Sequence, residues 1–171
     1  FSTYYYLTEV LKMNVKIIGI DLKKEVIDHC NNIAKKLNFT NLSFIYGDVI
    51  DYENKDEIDM VISLHACNTA TDIAIIKALG WKAKVFFAVP CCQKEVNSQL
   101  NDEFLPFMLK HGIVKEKFST LLTDSVRSEV LEAFGYKSDI VEFISAENTP
   151  KNQLIRAYRT TNNVDKDKIT N

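Results

Sequence analysis

Short apolar runs alternate with amphipathic segments along the first half of the chain. Residues 15–20 (VKIIGI) predict a strand that ends at Asp21, and apolar side chains then recur at helical spacing through Val26, Cys30 and Ile33. The predicted elements of this half are helices over 1–13, 23–37 and 70–79, and strands over 15–20, 42–46, 58–64 and 84–89. Since the strands are mostly unbroken apolar runs, the pattern favours a parallel sheet covered on both faces.

The pattern becomes mainly helical after Pro90. Phe118, Leu122 and Val126 repeat at intervals of four within a predicted helix over 114–134, and Gly135 suits its end. A further helix is predicted over 103–110, closing strands over 140–145 and 153–159, a turn over 146–152 and a polar tail over 161–171. Strands alternating with helices predict an α/β fold with a Rossmann-like, doubly wound, mostly parallel sheet and a C-terminal antiparallel strand. We expect one domain over 1–160, with 93–137 on its substrate side.

Composition narrows the class of protein. The chain has 171 residues, 46% hydrophobic and 26% charged, with 21 basic and 23 acidic side chains and a net charge of −2. These values exclude a disordered chain and argue against binding nucleic acid by bulk charge. No apolar stretch approaches the ~20 residues that a bilayer requires, and no signal peptide opens the sequence, so we expect a cytoplasmic protein without membrane contact. The sequence does not indicate an oligomeric state.

Two acids follow predicted strands at the edge where parallel sheets bind ligands. Asp21 suits hydrogen bonding to the ribose hydroxyls of an adenosine cofactor, although an aspartate before a helix also serves as an N-cap. Asp48, in a Gly-Asp pair, suits an adenine amino group while Val49 packs on the ring. The alternative for Asp48 is a simple turn.

The segment LHACNTATD over 64–72 follows the third predicted strand. His65 is a candidate general base, because histidine accepts protons near neutrality, although a histidine here is also often structural. Asn68 in this segment and Gln93 after the fourth predicted strand are candidates for orienting a substrate. Thr69 and Asp72 fit a capping box at the start of a helix.

Three of the four cysteines cluster near predicted strand ends. Cys91 and Cys92 follow Pro90, and Cys67 follows the neighbouring strand. Their spacing matches no usual zinc pattern, so no metal site is predicted, and the absence of C-x-x-C favours reduced thiols. One of them suits a nucleophile, whereas the alternative is packing beneath a cofactor.

Five of these segments together resemble one branch of the class I S-adenosylmethionine-dependent methyltransferases. The segments are IIGID over 17–21, YGDV over 46–49, LHACNTATD over 64–72, VPCCQ over 89–93 and TPKNQLIRA over 149–157. This branch includes the transfer-RNA ribose methyltransferase of the acceptor stem and related bacterial methyltransferase-domain proteins. Its most specific signature corresponds to His65, Cys67, Thr71 and Asp72 together with the paired cysteines.

The resemblance implies S-adenosyl-L-methionine as cofactor. It implies that Asp21 and Leu22 lie at the ribose and that Asp48 and Val49 lie at the adenine. It places Leu64 and His65 near the methyl group. It also implies a glycine-rich loop before the first helix. No G-x-G occurs in the sequence, so we expect the first strand and this loop to precede Phe1.

The sequence does not identify the methyl acceptor, and RNA is one candidate. A local basic rim is predicted from Lys94, Lys110, Lys115, Lys117, Arg127 and Lys151. A cysteine that attacks a pyrimidine ring is an alternative mechanism to proton removal by His65. A nicotinamide oxidoreductase and a non-catalytic binding module are the alternative functions.

Overall fold

The computed structural model describes residues 1–54, 56–66, 69–101, 103, 105–161 and 163–165. The chain divides into two compact units, Phe1–Asn54 and Lys55–Asn171. Within the described ranges, no helix has both the length and the apolar character needed to cross a bilayer.

The first unit contains a two-stranded parallel sheet. Its elements are α1 (Ser2–Tyr5), which continues as a π-helical segment (Tyr6–Val10), then β1 (Ile17–Asp21), α2 (Lys24–Lys36) and β2 (Leu42–Tyr46). The register runs from Ile17 opposite Leu42 to Asp21 opposite Tyr46. Tyr4, Ala34 and Leu42 form the buried core of this unit, with Phe39 packed against it. The predicted strands and helices of this region are therefore confirmed.

The buried face of α2 differs from the one that apolar periodicity suggests. Ile27 and Ala34 are buried, whereas Val26 and Leu37 are exposed. Asn31, which the sequence pattern assigns to the polar face, donates from Nδ2 to the Phe44 carbonyl and accepts from the Phe44 N–H, at 2.8 and 2.9 Å. These two bonds satisfy backbone groups of β2, and that is why a polar side chain faces the strand.

The second unit contains a four-stranded mixed sheet. Its elements are β3 (Met60–Leu64), α3 (Thr69–Gly80), β4 (Val85–Val89), α4 (Lys94–Gln99), α5 (Pro106–Leu109), α6 (Gly112–Ala133), β5 (Tyr136–Glu142) and β6 (Gln153–Arg159). The strand order is β3-β4-β6-β5. β3 and β4 are parallel, and β6 is antiparallel to both β4 and β5. The predicted α/β fold with a C-terminal antiparallel strand is confirmed, and its strands are hydrogen-bonded as two sheets.

The sheet of the second unit is covered unevenly. β4 alternates half-buried and buried residues, with Phe86 and Ala88 fully buried in a core that also holds Leu131 and Ile155. Along β3, by contrast, Met60, Ile62 and Leu64 are exposed. The expectation that both faces of every strand are covered is therefore wrong for β3, which is an edge strand.

Two elements have bounds that differ from those predicted from the sequence. The helix predicted over 103–110 is the shorter α5, with residues 102 and 104 outside the described ranges. The strand predicted over 140–145 is β5, which begins earlier because Tyr136 pairs with Arg159 and is buried in the core. Its hydroxyl donates to the Ala83 carbonyl at 2.5 Å. Burial of this ring and its bonded hydroxyl favours the earlier start.

Gly135 links α6 to β5 in a conformation that only glycine adopts easily. Its φ is +87°, and its N–H donates to the Glu132 carbonyl at 2.9 Å, which ends the helix as predicted. A Cβ added at Gly135 would lie 2.5 Å from the Thr161 carbonyl oxygen.

We predict that Gly135→Ala lowers the free energy of unfolding by about 1–2 kcal/mol or more. Alanine is strained at positive φ, and its Cβ would also clash with the Thr161 carbonyl oxygen, so the two costs add. Gly80→Ala is the matched control, since an added Cβ there meets no heavy atom within 4 Å. The measurement is urea unfolding followed by the fluorescence of Trp81, the single tryptophan. Because Trp81 lies in the second unit, its fluorescence reports the unfolding of that unit. Equal losses in the two variants would contradict this account of Gly135.

Candidate functional site

Asp21 and Asp48 lie at one edge of the sheet in the first unit. Asp21 is the last residue of β1 and pairs with Tyr46, the last residue of β2. The Gly47 N–H then donates to the Asp21 carbonyl at 3.1 Å, which brings the turn carrying Asp48 alongside Asp21. The parallel pairing of β1 with β2 therefore places both predicted cofactor acids together.

Each of these carboxylates bonds to its own backbone through a single oxygen. Asp21 Oδ1 accepts from the Lys23 N–H at 2.8 Å, and Asp48 Oδ1 accepts from the Ile50 N–H at 3.1 Å. Both are Asx turns, in which a short acid side chain satisfies a donor two residues on. Within the described residues, no hydrogen bond engages either Oδ2. The turns thus fix each side chain and leave one oxygen to accept from a ligand.

Apolar side chains flank the two acids. Leu22 and Tyr46 are exposed, at 64% and 58%, as is Ile50, and Val49 is half-buried. Exposed apolar groups next to hydrogen-bond acceptors are typical of surfaces that bind a heterocycle and a sugar. The two acceptor carboxylates and the apolar side chains around them fit the adenosine half of the predicted cofactor.

His65 follows β3 in a left-handed backbone conformation. Its φ is +54°, which histidine tolerates better than most residues but which still costs energy. Its N–H donates to the Val89 carbonyl at 3.0 Å, so the end of β3 is tied to the end of β4. The imidazole is exposed. The imidazole of His65 is therefore accessible at the end of β3, next to the exposed Leu64.

A buried hydroxyl holds the loop that follows His65. Thr71, 1% exposed, donates from Oγ1 to the Ala66 carbonyl at 2.7 Å. The predicted Cys67 and Asn68 lie outside the described residues. Asp72, which the sequence pattern assigns to a capping box, has a longer-range partner that is described below.

Cys91 and Cys92 follow β4 at the same edge as His65. Their Sγ atoms lie 3.7 Å apart, and both residues are half-buried between the buried Pro90 and Gln93. Within the described residues, no group of three or more histidine, cysteine or acidic side chains could hold a metal ion. Parallel pairing of β3 with β4 therefore brings His65 and the thiol pair together, as the strand pattern predicts.

The turn between β5 and β6 reaches that edge as well. Ile155 of β6 pairs with Ala88 near the end of β4, which places the preceding turn beside it. Buried Asn152 donates from Nδ2 to the Ile144 carbonyl at 2.9 Å, which closes the turn. Lys151, one of the predicted rim cations, forms an ion pair of 2.9 Å with Glu116.

The structure adds a buried ionic group that the sequence does not indicate. Arg127 donates from Nε to Asp72 Oδ1 at 2.7 Å and from Nη1 to Asp124 Oδ1 at 3.0 Å. Arg127 is 5% exposed and Asp124 1% exposed. The prediction that Arg127 belongs to an exposed basic rim is wrong, because α6 turns it inward against two carboxylates.

Burial governs the electrostatics of this group. Removal from water raises the pKa of Asp124, although the Arg127 guanidinium opposes that rise. Burial also acts to lower the pKa of Arg127, but the bonds to Asp72 and Asp124 outweigh it and raise that pKa. The one hint of this ionic group in the sequence is the spacing of three between Asp124 and Arg127, which lets the two side chains meet on one helix. The sequence gives no hint of the third member, Asp72.

Comparisons with known proteins agree with this architecture. The model of a family described as a methyltransferase domain matches residues 1–99. The fold is similar to an rRNA methylase of Streptococcus thermophilus, with a TM-score of 0.56 and 13% identity over 93% of this chain and 80% of that one. A protein from Pyrococcus horikoshii OT3 is similar at a TM-score of 0.52 and 13% identity, over 92% and 76% of the two chains. None of the curated proteins matches the sequence.

We predict that Arg127→Met lowers the free energy of unfolding by about 3 kcal/mol or more near neutral pH, because it removes the guanidinium that is bonded to the buried Asp124. The loss shrinks as the pH falls, since a carboxylate whose pKa is raised in the folded state binds protons more strongly there than in the unfolded chain. Stability attributable to Asp124 thus falls as pH rises through its raised pKa.

Denaturant unfolding at several pH values measures this effect. Combining Arg127→Met with Asp124→Asn removes the titrating group and should flatten the pH dependence. Lys117→Met, an exposed change on the same helix, is the control. A loss of stability that does not vary with pH, or that Asp124→Asn does not alter, would rule out this coupling.

Proposed function

The chain belongs to the family of methyltransferase domains, and from this premise we propose that it transfers a methyl group from S-adenosyl-L-methionine to an acceptor, with RNA as the acceptor class. The observation that carries the proposal is the pair of carboxylates at the ends of β1 and β2, each fixed through one oxygen. The family match does not favour the nicotinamide oxidoreductase alternative.

The first unit supplies the groups that would hold the cofactor's adenosine. Asp21 accepts hydrogen bonds from the ribose hydroxyls through the oxygen that its Asx turn leaves available, and Asp48 accepts from the adenine amino group. Leu22 and Val49 pack against the rings. When bound, the cofactor supplies a methyl group already activated on sulfur, so the protein's task is mainly alignment.

The residues that follow β3 and β4 are proposed to act on the acceptor. His65 takes the proton that the acceptor atom loses as its bond to the methyl carbon forms, and Leu64 packs beside the methyl group. Asn68 is proposed to orient the acceptor, and the thiols of Cys91 and Cys92 follow the end of β4. Gln93, a second candidate for that role, is buried and accepts at Oε1 from Thr120 Oγ1 at 3.0 Å. We therefore give Gln93 an anchoring role.

RNA as acceptor is supported by likeness of fold and by the sequence resemblance. One similar structure is an rRNA methylase, and the sequence resembles a transfer-RNA methyltransferase branch. Exposed lysines such as Lys94, Lys110 and Lys117 offer local positive charge despite the net charge of −2. The cysteine pattern supports a cytoplasmic location with reduced thiols.

Calorimetric titration with S-adenosylhomocysteine tests the cofactor assignment. We predict saturable binding, and a loss of affinity of about tenfold or more in Asp21→Asn, since hydrogen bonds to charged groups contribute about 1.5–3 kcal/mol. Asp28→Asn, an exposed acid on α2, is the matched control and should bind normally. Absence of binding would favour the non-catalytic module, and equal binding by both variants would remove Asp21 from the site.

Variants of His65 separate its chemistry from its backbone. We predict that His65→Asn slows transfer of labelled methyl to total RNA by about two to four orders of magnitude, as expected on loss of a general base. Asparagine tolerates the left-handed conformation, so the loop should keep its geometry. His65→Gly is a second variant free of backbone strain.

The measurements are label incorporation into purified RNA, with extracted protein as the alternative acceptor, and S-adenosylhomocysteine affinity in parallel. Affinity should stay within about twofold of the parent value in both variants, because only the chemical step is affected. If His65→Asn transferred methyl groups at the full rate, His65 would not be the general base. If label appeared only in protein, RNA would not be the acceptor.

A further inference from the structure

The inner face of α6 is polar as far as Arg127, and its C-terminal end buries the apolar residues Leu131 and Ala133. Ser119, Asp124 and Arg127 are buried, whereas Leu121 and Val126 are 52% and 55% exposed. Burying polar and charged groups costs free energy, and replacing a buried ion pair by apolar residues is often neutral or stabilising. A helix that served only to cover the sheet would be expected to turn its apolar residues inward. The polar face therefore calls for a role beyond packing.

Three side chains of α6, Ser119, Thr120 and Arg127, bond to segments that adjoin the candidate site. Arg127 holds Asp72 at the start of α3, directly after the loop that begins at His65. Thr120 holds Gln93, which follows the thiol pair, and Ser119 accepts from Asn97 Nδ2 at 3.2 Å. Through these bonds α6 contacts the far end of both segments.

The thiol pair lies between two fixed points. Before it, Val89 and Pro90 are buried at the end of β4, and after it, Gln93 is only 8% exposed. Asp72, Cys92, Gln93, Thr123 and Arg127 are among the residues that line one cavity of about 40 Å³. A cavity of this size admits a few water molecules and no larger group. The segment of two cysteines therefore has little freedom as long as Gln93 stays anchored.

We propose that Thr120 and Arg127 are positioning residues, which anchor Gln93 and Asp72 and so fix the thiols of Cys91 and Cys92 at the acceptor side of the transferase. The proposal rests on the proposed function only in assigning the thiols to the acceptor side. The anchoring itself is a statement about α6 and the turn after β4.

The two threonines of α6 provide a matched pair of variants. The single hydroxyl hydrogen of Thr120 is shared between the Glu116 carbonyl at 3.1 Å and Gln93 Oε1 at 3.0 Å, whereas the Thr123 hydroxyl donates to the Ser119 carbonyl at 2.6 Å. Substitution by valine removes this bond within the helix in both cases. Only Thr120→Val also removes the bond to Gln93. Thr120→Ser keeps the hydroxyl and should restore the anchor.

The experiment is alkylation of the reduced full chain by iodoacetamide, read by peptide mass spectrometry. Trypsin places Cys91 and Cys92 on one peptide and Cys30 on another, so Cys30 of the first unit is an internal reference. We expect Thr120→Val to raise the labelling rate of the thiol pair relative to Cys30 by roughly fivefold. That factor corresponds to the loss of one hydrogen bond of about 1 kcal/mol. Thr123→Val and Thr120→Ser should remain within about twofold of the parent rate.

Arg127→Lys is the second test, since lysine keeps the charge but cannot bond two carboxylates in a planar fork. Arg127→Lys should also raise the labelling rate of the thiol pair. If circular dichroism shows that Thr120→Val is unfolded, the labelling of Arg127→Lys alone tests the proposal. Equal labelling in Thr120→Val and Thr123→Val, or unchanged labelling in Arg127→Lys, would overturn the proposal. Failure of the parent protein to bind S-adenosylhomocysteine would instead defeat the proposed function and leave the anchoring result intact.

Discussion

The second unit depends on the burial of one guanidinium between two carboxylates. A buried charge is tolerated only when it is paired and its hydrogen bonds are satisfied, because desolvation of an isolated ion costs several kcal/mol. Arg127 is paired with Asp72 and Asp124 at 2.7 and 3.0 Å. The position of α3 relative to α6 is thereby constrained more tightly than apolar contacts alone would require.

That constraint explains how strained and exposed groups persist at the end of the sheet. His65 adopts a left-handed conformation, and its loop is held by the Val89 carbonyl on one side and by Thr71 on the other. Strain of this kind survives where the surrounding bonds determine the backbone more strongly than the residue's own preference. Because Asp72 directly follows Thr71, the Arg127 bond reinforces the same loop. The strained position and the buried ion pair belong to one arrangement.

Sequence reasoning recovered the elements better than the faces that they bury. Strands such as β2 and the end of α6 at Gly135 follow from local signals, namely apolar runs and a residue suited to positive φ. Periodicity groups residues on one side of a helix but does not say which side faces inward. For α6 the apolar repeat through Leu122 and Val126 is exposed. The buried side is selected by partners far away in sequence, such as Asp72, 55 positions from Arg127.

The candidate site shows the same division between local and distant causes. Asp21 and Asp48 were predicted as cofactor residues from their positions after strands, and in the structure each bonds within its own turn, two residues away. Such short-range bonds fix a carboxylate while leaving an oxygen for a ligand, which suits reversible binding of a cofactor. Asp72 and Asp124 are instead held by a residue of α6 that no local pattern connects to the first of them. A carboxylate shared with a buried arginine is poorly placed to exchange partners with a ligand, so these two acids serve to fix the backbone. The acids of the first unit are thus suited to binding, and those of the second unit to holding the reactive segments in place.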